Sequence, residues 1–68
     1  MVLSLPVRPE VALISDDLYS VLTDNDTLGY VHKVGPVFVA LCGADLHHAV
    51  EVGQSLSLDR AVEMVRSR

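Results

Sequence analysis

The chain has 68 residues, of which 50% are hydrophobic and 21% are charged, and its formal net charge is −4 at pH 7. This composition excludes a disordered or low-complexity chain, and the excess of acidic over basic residues disfavours an extended surface for nucleic acid. Cys42 is the only cysteine, so no internal disulfide can form and we expect a cytoplasmic protein. No apolar stretch is long enough to cross a bilayer, so we expect no membrane partner. The length predicts a single domain over residues 1–68.

The first 14 residues are apolar but contain Pro6 and Pro9. Proline removes an amide donor and pushes the preceding residue into an extended conformation, so a helix starting before Glu10 is disfavoured. We therefore predict an extended apolar N-terminal arm over residues 1–14, with an edge strand as the alternative. So many large apolar side chains should pack on something, either on this chain or on a second one.

Residues 17–52 predict an antiparallel sheet. Residues 17–23 fit either a helix capped by Ser15 or a strand, and we prefer the strand because a turn signal at 24–26 and a β-branched, aromatic run at 27–34 follow it. Gly35-Pro36 predicts a tight type II′ turn before a strand at 37–42. His47 to Val52 can form a fourth strand, ending before Gly53. The expected sheet is a meander of three to four strands.

Residues 57–66 predict an amphipathic helix. Leu58, Ala61, Val62 and Val65 recur at helical spacing, and Ser57 is suited to cap the N-terminus. The fold class is therefore α+β, with one C-terminal helix packed on the sheet.

The turn lengths set a register and so divide the sheet residues between two faces. Residues 34 and 37, 32 and 39, 30 and 41, 22 and 28, and 20 and 30 are expected to lie opposite each other. One face holds Leu18, Ser20, Leu22, Leu28, Tyr30, His32, Val34, Val37, Val39 and Leu41, and the other holds Tyr19, Val21, Thr23, Gly29, Val31, Lys33, Phe38, Ala40 and Cys42. Both faces are largely apolar, although a sheet with one solvated face should alternate with polar residues.

One short helix can cover only one face, and we expect it on the first, which is richer in Leu and Val. The second face is then left for a second copy of the chain or another protein, through an interface formed by Tyr19, Val21, Val31, Phe38 and Ala40. The alternative is that the N-terminal arm folds back within the monomer and completes the core. The leading hypothesis is thus a non-enzymatic protein-interaction module that forms a homodimer or higher oligomer through this second face or through the N-terminal arm.

No motif indicates catalysis, a cofactor or a metal. His32, His47 and His48 could be metal ligands, but neighbouring strand residues point to opposite faces, so His47 and His48 should not share an ion. Cys42 is expected to be a buried thiol rather than a nucleophile paired with a histidine and Asp45. The alternative function is a sheet-based nucleic-acid-binding domain that uses Tyr30, His32 and Lys33, which the acidic charge disfavours.

Overall fold

The computed structural model describes residues 10–23 and 26–67, apart from the side chain of Glu10. Five antiparallel strands follow each other in chain order across a single sheet. A single turn of 3-10 helix and one α-helix, α1, complete the described elements. Their bounds are β1 Glu10–Ser15, β2 Leu18–Leu22, β3 Thr27–Val34, β4 Val37–Cys42, 3-10 turn Leu46–His48, β5 Val50–Ser55 and α1 Leu58–Arg66. The predicted α+β class, antiparallel sheet and C-terminal helix are confirmed.

For part of residues 1–14, the structure shows the edge strand rather than the extended arm. Residues 10–15, expected to belong mostly to the extended arm, form β1 and pair with β2, so that Val11 lies opposite Val21 and Leu13 opposite Tyr19. The count of three to four strands is therefore wrong by at least one. Pro9 directly precedes the strand, and β1 is at the sheet edge, where a missing amide donor is tolerated. Residues 1–9 of the predicted arm lie outside the described residues.

The strand preferred for residues 17–23 is confirmed as β2, and it pairs with β3 largely as predicted. Ser20 lies opposite Tyr30, but Leu22 lies opposite Thr27 rather than Leu28, because an irregularity after Val21 shifts the register. This shift moves Leu28 from its predicted face to the other face, where it packs against the core. Of the predicted turn at 24–26, residues 24 and 25 lie outside the described residues.

The register of β3 and β4 follows the Gly-Pro turn as predicted. Val34 lies opposite Val37, His32 opposite Val39, and Tyr30 opposite Leu41. Gly35 has φ 60°, the sign that a type II′ turn requires at its first central position. The positions of these residues on the two faces are thereby fixed.

The predicted strand at 47–52 begins and ends later in the structure. His47 and His48 lie in the 3-10 turn, because the Asp45 carboxylate accepts a hydrogen bond from the His47 amide and caps it. The strand that follows, β5, starts at Val50 and continues through Gly53, which was expected to end it.

Helix α1 starts at its predicted cap. The Ser57 hydroxyl accepts a hydrogen bond from the Arg60 amide at 3.4 Å, and Asp59 lies in the first turn, where a negative charge favours the helix dipole. The helix packs across β3, β4 and β5 and reaches β2. Its Ala61 and Val65 are buried against the sheet. Together with Val21, Val31 and Ala40 of the sheet, they form the core.

The helix therefore covers the face that was expected to remain free, and the prediction that it covers the Leu- and Val-rich face is wrong. The physical reason is the size of the residues beneath it. Gly29, Ala40 and Gly53 leave a shallow surface that the helix can approach closely: a Cβ atom on Gly53 would lie 2.7 Å from Met64 Sδ. The larger side chains of the opposite face would hold a helix further from the sheet.

Candidate functional site

The residues predicted to form the interface lie under the helix. Val21, Val31 and Ala40 are fully buried in this chain, and Tyr19 and Phe38 pack against the same core. The two aromatic rings lie tilted, with their centroids 6.3 Å apart, a favourable arrangement for an aromatic pair. A second molecule could reach the three buried residues only if the helix moved away. This set therefore forms the core of the single chain and does not provide an accessible interface.

The opposite face of the sheet is largely apolar. No other helix or strand of residues 10–23 and 26–67 packs over it. We call this surface the open face and define it by its half-buried apolar side chains, which come from three neighbouring strands: Leu18, Tyr30, Val37, Val39 and Leu41. An antiparallel sheet that faces water on one side usually carries polar residues there, so this face is unusual for a solvent surface.

The cross-strand register brings the open face together. Leu18, His32 and Val39 form one row across β2, β3 and β4, and Tyr30 and Leu41 lie beside each other in the next row. Cross-strand neighbours of this kind stand about 4.5–5.5 Å apart between their Cβ atoms, close enough to form a continuous patch.

Two hydrogen bonds hold polar groups within this face. The Tyr30 hydroxyl donates to the Ala44 carbonyl at 2.9 Å, and the Ser20 hydroxyl donates to the Ala12 carbonyl at 3.4 Å. Because both hydroxyls are bonded within the chain, the patch can be desolvated without leaving these donors unpaired.

The charged side chains of this side lie at its margins, whereas His32 lies within the patch, between Leu18 and Val39. His32 Nε2 is 3.5 Å from Asp17 Oδ2, near the turn between β1 and β2. Glu51 and Gln54 lie on β5 at the same side of the sheet, opposite Leu41 and Val39. The apolar centre is thus bordered by hydrophilic groups, the arrangement found at protein–protein interfaces.

The residues proposed for nucleic-acid contact are not brought together. Tyr30 and His32 lie on the open face, whereas Lys33 lies opposite Phe38 and belongs to the helix side. The Asp17 carboxylate beside His32 would repel a phosphate group. The geometry therefore gives no support to that alternative.

The 3-10 turn holds a small polar cluster on the surface. His48 Nδ1 is 3.0 Å from Asp45 Oδ2, and this hydrogen bond, with the one from the His47 amide, lowers the pKa of the Asp45 carboxyl below its ordinary value. Within the described ranges, no three His, Cys, Asp or Glu side chains are grouped as metal ligands. Asp45 is engaged with the two histidines, and Cys42 is half-buried rather than buried as expected.

The glycines inside the strands indicate which face of the sheet the helix covers, and the prediction above did not use them. A glycine inside a strand often marks a site where another part of the chain approaches closely, and Gly29 and Gly53 both lie inside strands on the helix side. Comparing the two faces by the size of their smallest residues, rather than by total apolar content, would have placed the helix correctly.

The fold and this surface define a small α+β protein with one helix on one side of a five-stranded meander and an apolar face on the other. No described helix has the length and apolar character needed to cross a membrane. Comparisons with models of known protein families, with curated proteins and with solved structures found no match.

Proposed function

We propose that this chain is a non-enzymatic protein-interaction module that self-associates through the open face. The observation that carries the proposal is the apolar patch on the side of the sheet opposite the helix, made by Leu18, Tyr30, Val37, Val39 and Leu41. Burying apolar surface contributes about 25 cal/mol for each Å², so a continuous patch of this kind favours association.

The size of the face suits a second copy. The whole sheet face on this side, of which the open face is the three-strand centre, has five strands of about six residues and spans about 24 Å by 20 Å at ordinary strand spacings, or about 480 Å² before side-chain relief is counted. Two such faces in contact would bury about 1,000 Å² or more, the size at which specific interfaces begin. Each copy supplies the same apolar centre, as a two-fold contact requires.

The distribution of charge also favours self-association over binding a charged partner. The apolar centre contains no Lys, Arg, Asp or Glu, and the charged groups lie at its edges. A face-to-face contact would therefore desolvate few charges, although each chain is acidic overall. The contact would stack two sheets about 10 Å apart, with both helices outside.

Sedimentation equilibrium of the unmodified chain and of Val39→Glu tests the proposal. Val39 lies on the open face between Val37 and Leu41, so a charge there should abolish the face-to-face contact and lower the mass, while its half-buried position away from the helix allows the single chain to fold. Val50→Glu is the matched control, because Val50 is 64% exposed and lies on the helix side, opposite Cys42. A concentration-independent mass of 7.4 kDa for the unmodified chain would contradict the proposal.

A further inference from the structure

The two edges of the sheet are not equally protected. At the β5 edge, an irregularity in the pairing, the acidic Glu51 and the helix above Gly53 all hinder further strand pairing. The β1 edge also has an irregular pairing, at Ile14, but between residues 11 and 14 it carries no charged side chain and no helix lies above it. Three of its four side chains there are large and exposed: Val11 at 42%, Leu13 at 61% and Ile14 at 55%.

The backbone of β1 is also available for pairing. Among the described residues, β1 pairs only with β2, so the amide and carbonyl groups on its outer side have no strand partner. Unpaired groups along an apolar edge strand form a template for another strand.

The helix leaves space beside this edge. Val11 and Leu13 lie opposite Val21 and Tyr19 and so belong to the helix side of the sheet. Because the helix packs mainly over β3, β4 and β5, it does not cover these two side chains. A second sheet could continue from β1 without meeting the helix of the first.

We infer that β1 pairs antiparallel with β1 of a second copy, joining two sheets into one of ten strands. A two-fold axis perpendicular to the sheet at Ala12 would place Val11 of each copy opposite Leu13 of the other. Both helices then lie on one side and both open faces on the other. The inference builds on the proposed function, since pairing through β1 and packing through the open face together give a tetramer.

A second copy suits this edge because of how charge is placed along it. In the register centred on Ala12, no two acidic residues of β1 are directly opposite each other. The two copies of Asp16 would lie about 26 Å apart along the strands, well beyond the screening length of about 8 Å. Parallel pairing would place them side by side, so the antiparallel arrangement is favoured.

Sedimentation equilibrium with edge and face variants tests this inference separately from the proposed function. The unmodified chain should have a mass of about 30 kDa, four times the single-chain mass of 7.4 kDa. Val11→Lys with Leu13→Lys should halve it, because lysines on an edge strand oppose pairing. Val39→Glu alone should also halve it, and the triple variant should be a monomer. Val50→Lys, on the β5 edge, should leave the mass unchanged.

The outcomes separate the two contacts. A dimer whose mass falls with Val39→Glu but not with the β1 lysines overturns the edge contact and leaves the face contact standing. A dimer whose mass falls with the β1 lysines but not with Val39→Glu supports the edge contact and overturns the proposed function.

Hydrogen exchange of the unmodified chain tests the edge contact without any variant. The outward β1 amides should become protected as concentration rises, and fast exchange at every concentration would overturn the inference.

Discussion

Gly29 lies so close beneath Val65 that a Cβ atom on the glycine would come within 2.8 Å of Val65 Cγ1. The same atom would be 3.0 Å from the Cα atom of Cys42 and would meet the backbone carbonyl of Leu41. Gly29 therefore sets the distance between the helix and the sheet, and with it the choice of the face that the helix covers.

Gly29→Ala should lower the free energy of unfolding by about 1–3 kcal/mol, because the added methyl group meets backbone that cannot move aside. Gly53→Ala should cost less, since its nearest neighbour is the flexible end of Met64. Urea denaturation of both variants measures the difference. An equal or larger loss for Gly53→Ala would show that backbone contact at Gly29 does not control the packing.

The helix cap gives a second prediction. Ser57→Ala should destabilise the protein by about 0.5–2 kcal/mol, because the Arg60 amide loses its acceptor. Ser57→Asp should retain most of the stability, since a carboxylate also caps the helix. Thermal unfolding followed by circular dichroism compares them, and an alanine variant as stable as the unmodified chain would contradict the capping role.

The polar cluster at the 3-10 turn predicts a pH dependence. The pKa of the Asp45 carboxyl is lowered from 3.8, chiefly by the hydrogen bond to His48 and then by the His47 amide. The folded state therefore favours the carboxylate. This contribution to stability is full above pH 3.8 and is lost as the pH falls through the lowered pKa.

NMR titration of the Asp45 carboxyl in His48→Ala tests this assignment. The pKa should rise towards 3.8 but stay below it, because the His47 amide still donates. His47→Ala is the control, since it keeps that amide and the His48 ring, so the pKa should remain lowered. An unchanged pKa in His48→Ala would show that the ring does not hold the carboxylate.

Nucleic-acid binding is predicted to be absent. Lys33 lies on the opposite side of the sheet from Tyr30 and His32, and the Asp17 carboxylate lies beside His32. Titration with single- and double-stranded DNA and RNA at low and moderate salt should show no binding. Binding that weakens steeply with salt, and weakens further in Lys33→Ala, would contradict this account.

The features that could be predicted from the sequence are those controlled by local interactions within a turn or a helix cap. The Gly35-Pro36 turn determined the β3–β4 register, and the Ser57 cap determined where the helix starts. The sequence left β1 undecided between an arm and an edge strand, because proline is compatible with both.

The face covered by the helix depends on tertiary packing rather than on periodicity. Apolar residues recur along the strands on both faces, so their spacing alone could not show which face the helix covers. Small residues such as Gly29 and Ala40 decided the outcome by permitting close approach. The residues predicted to form the interface therefore lie under the helix, and the residues of the open face share one side of the sheet as predicted, apart from Leu28.

The central claim is that a second chain covers the open face, and the neighbours of the Val39 methyl groups test it most directly. A sample that mixes isotope-labelled with unlabelled chains allows NOEs between chains to be separated from those within one chain. The account predicts NOEs between chains from Val39 to open-face side chains such as Leu18 or Leu41. NOEs from Val39 only to residues of its own chain, including residues 1–9, would contradict it.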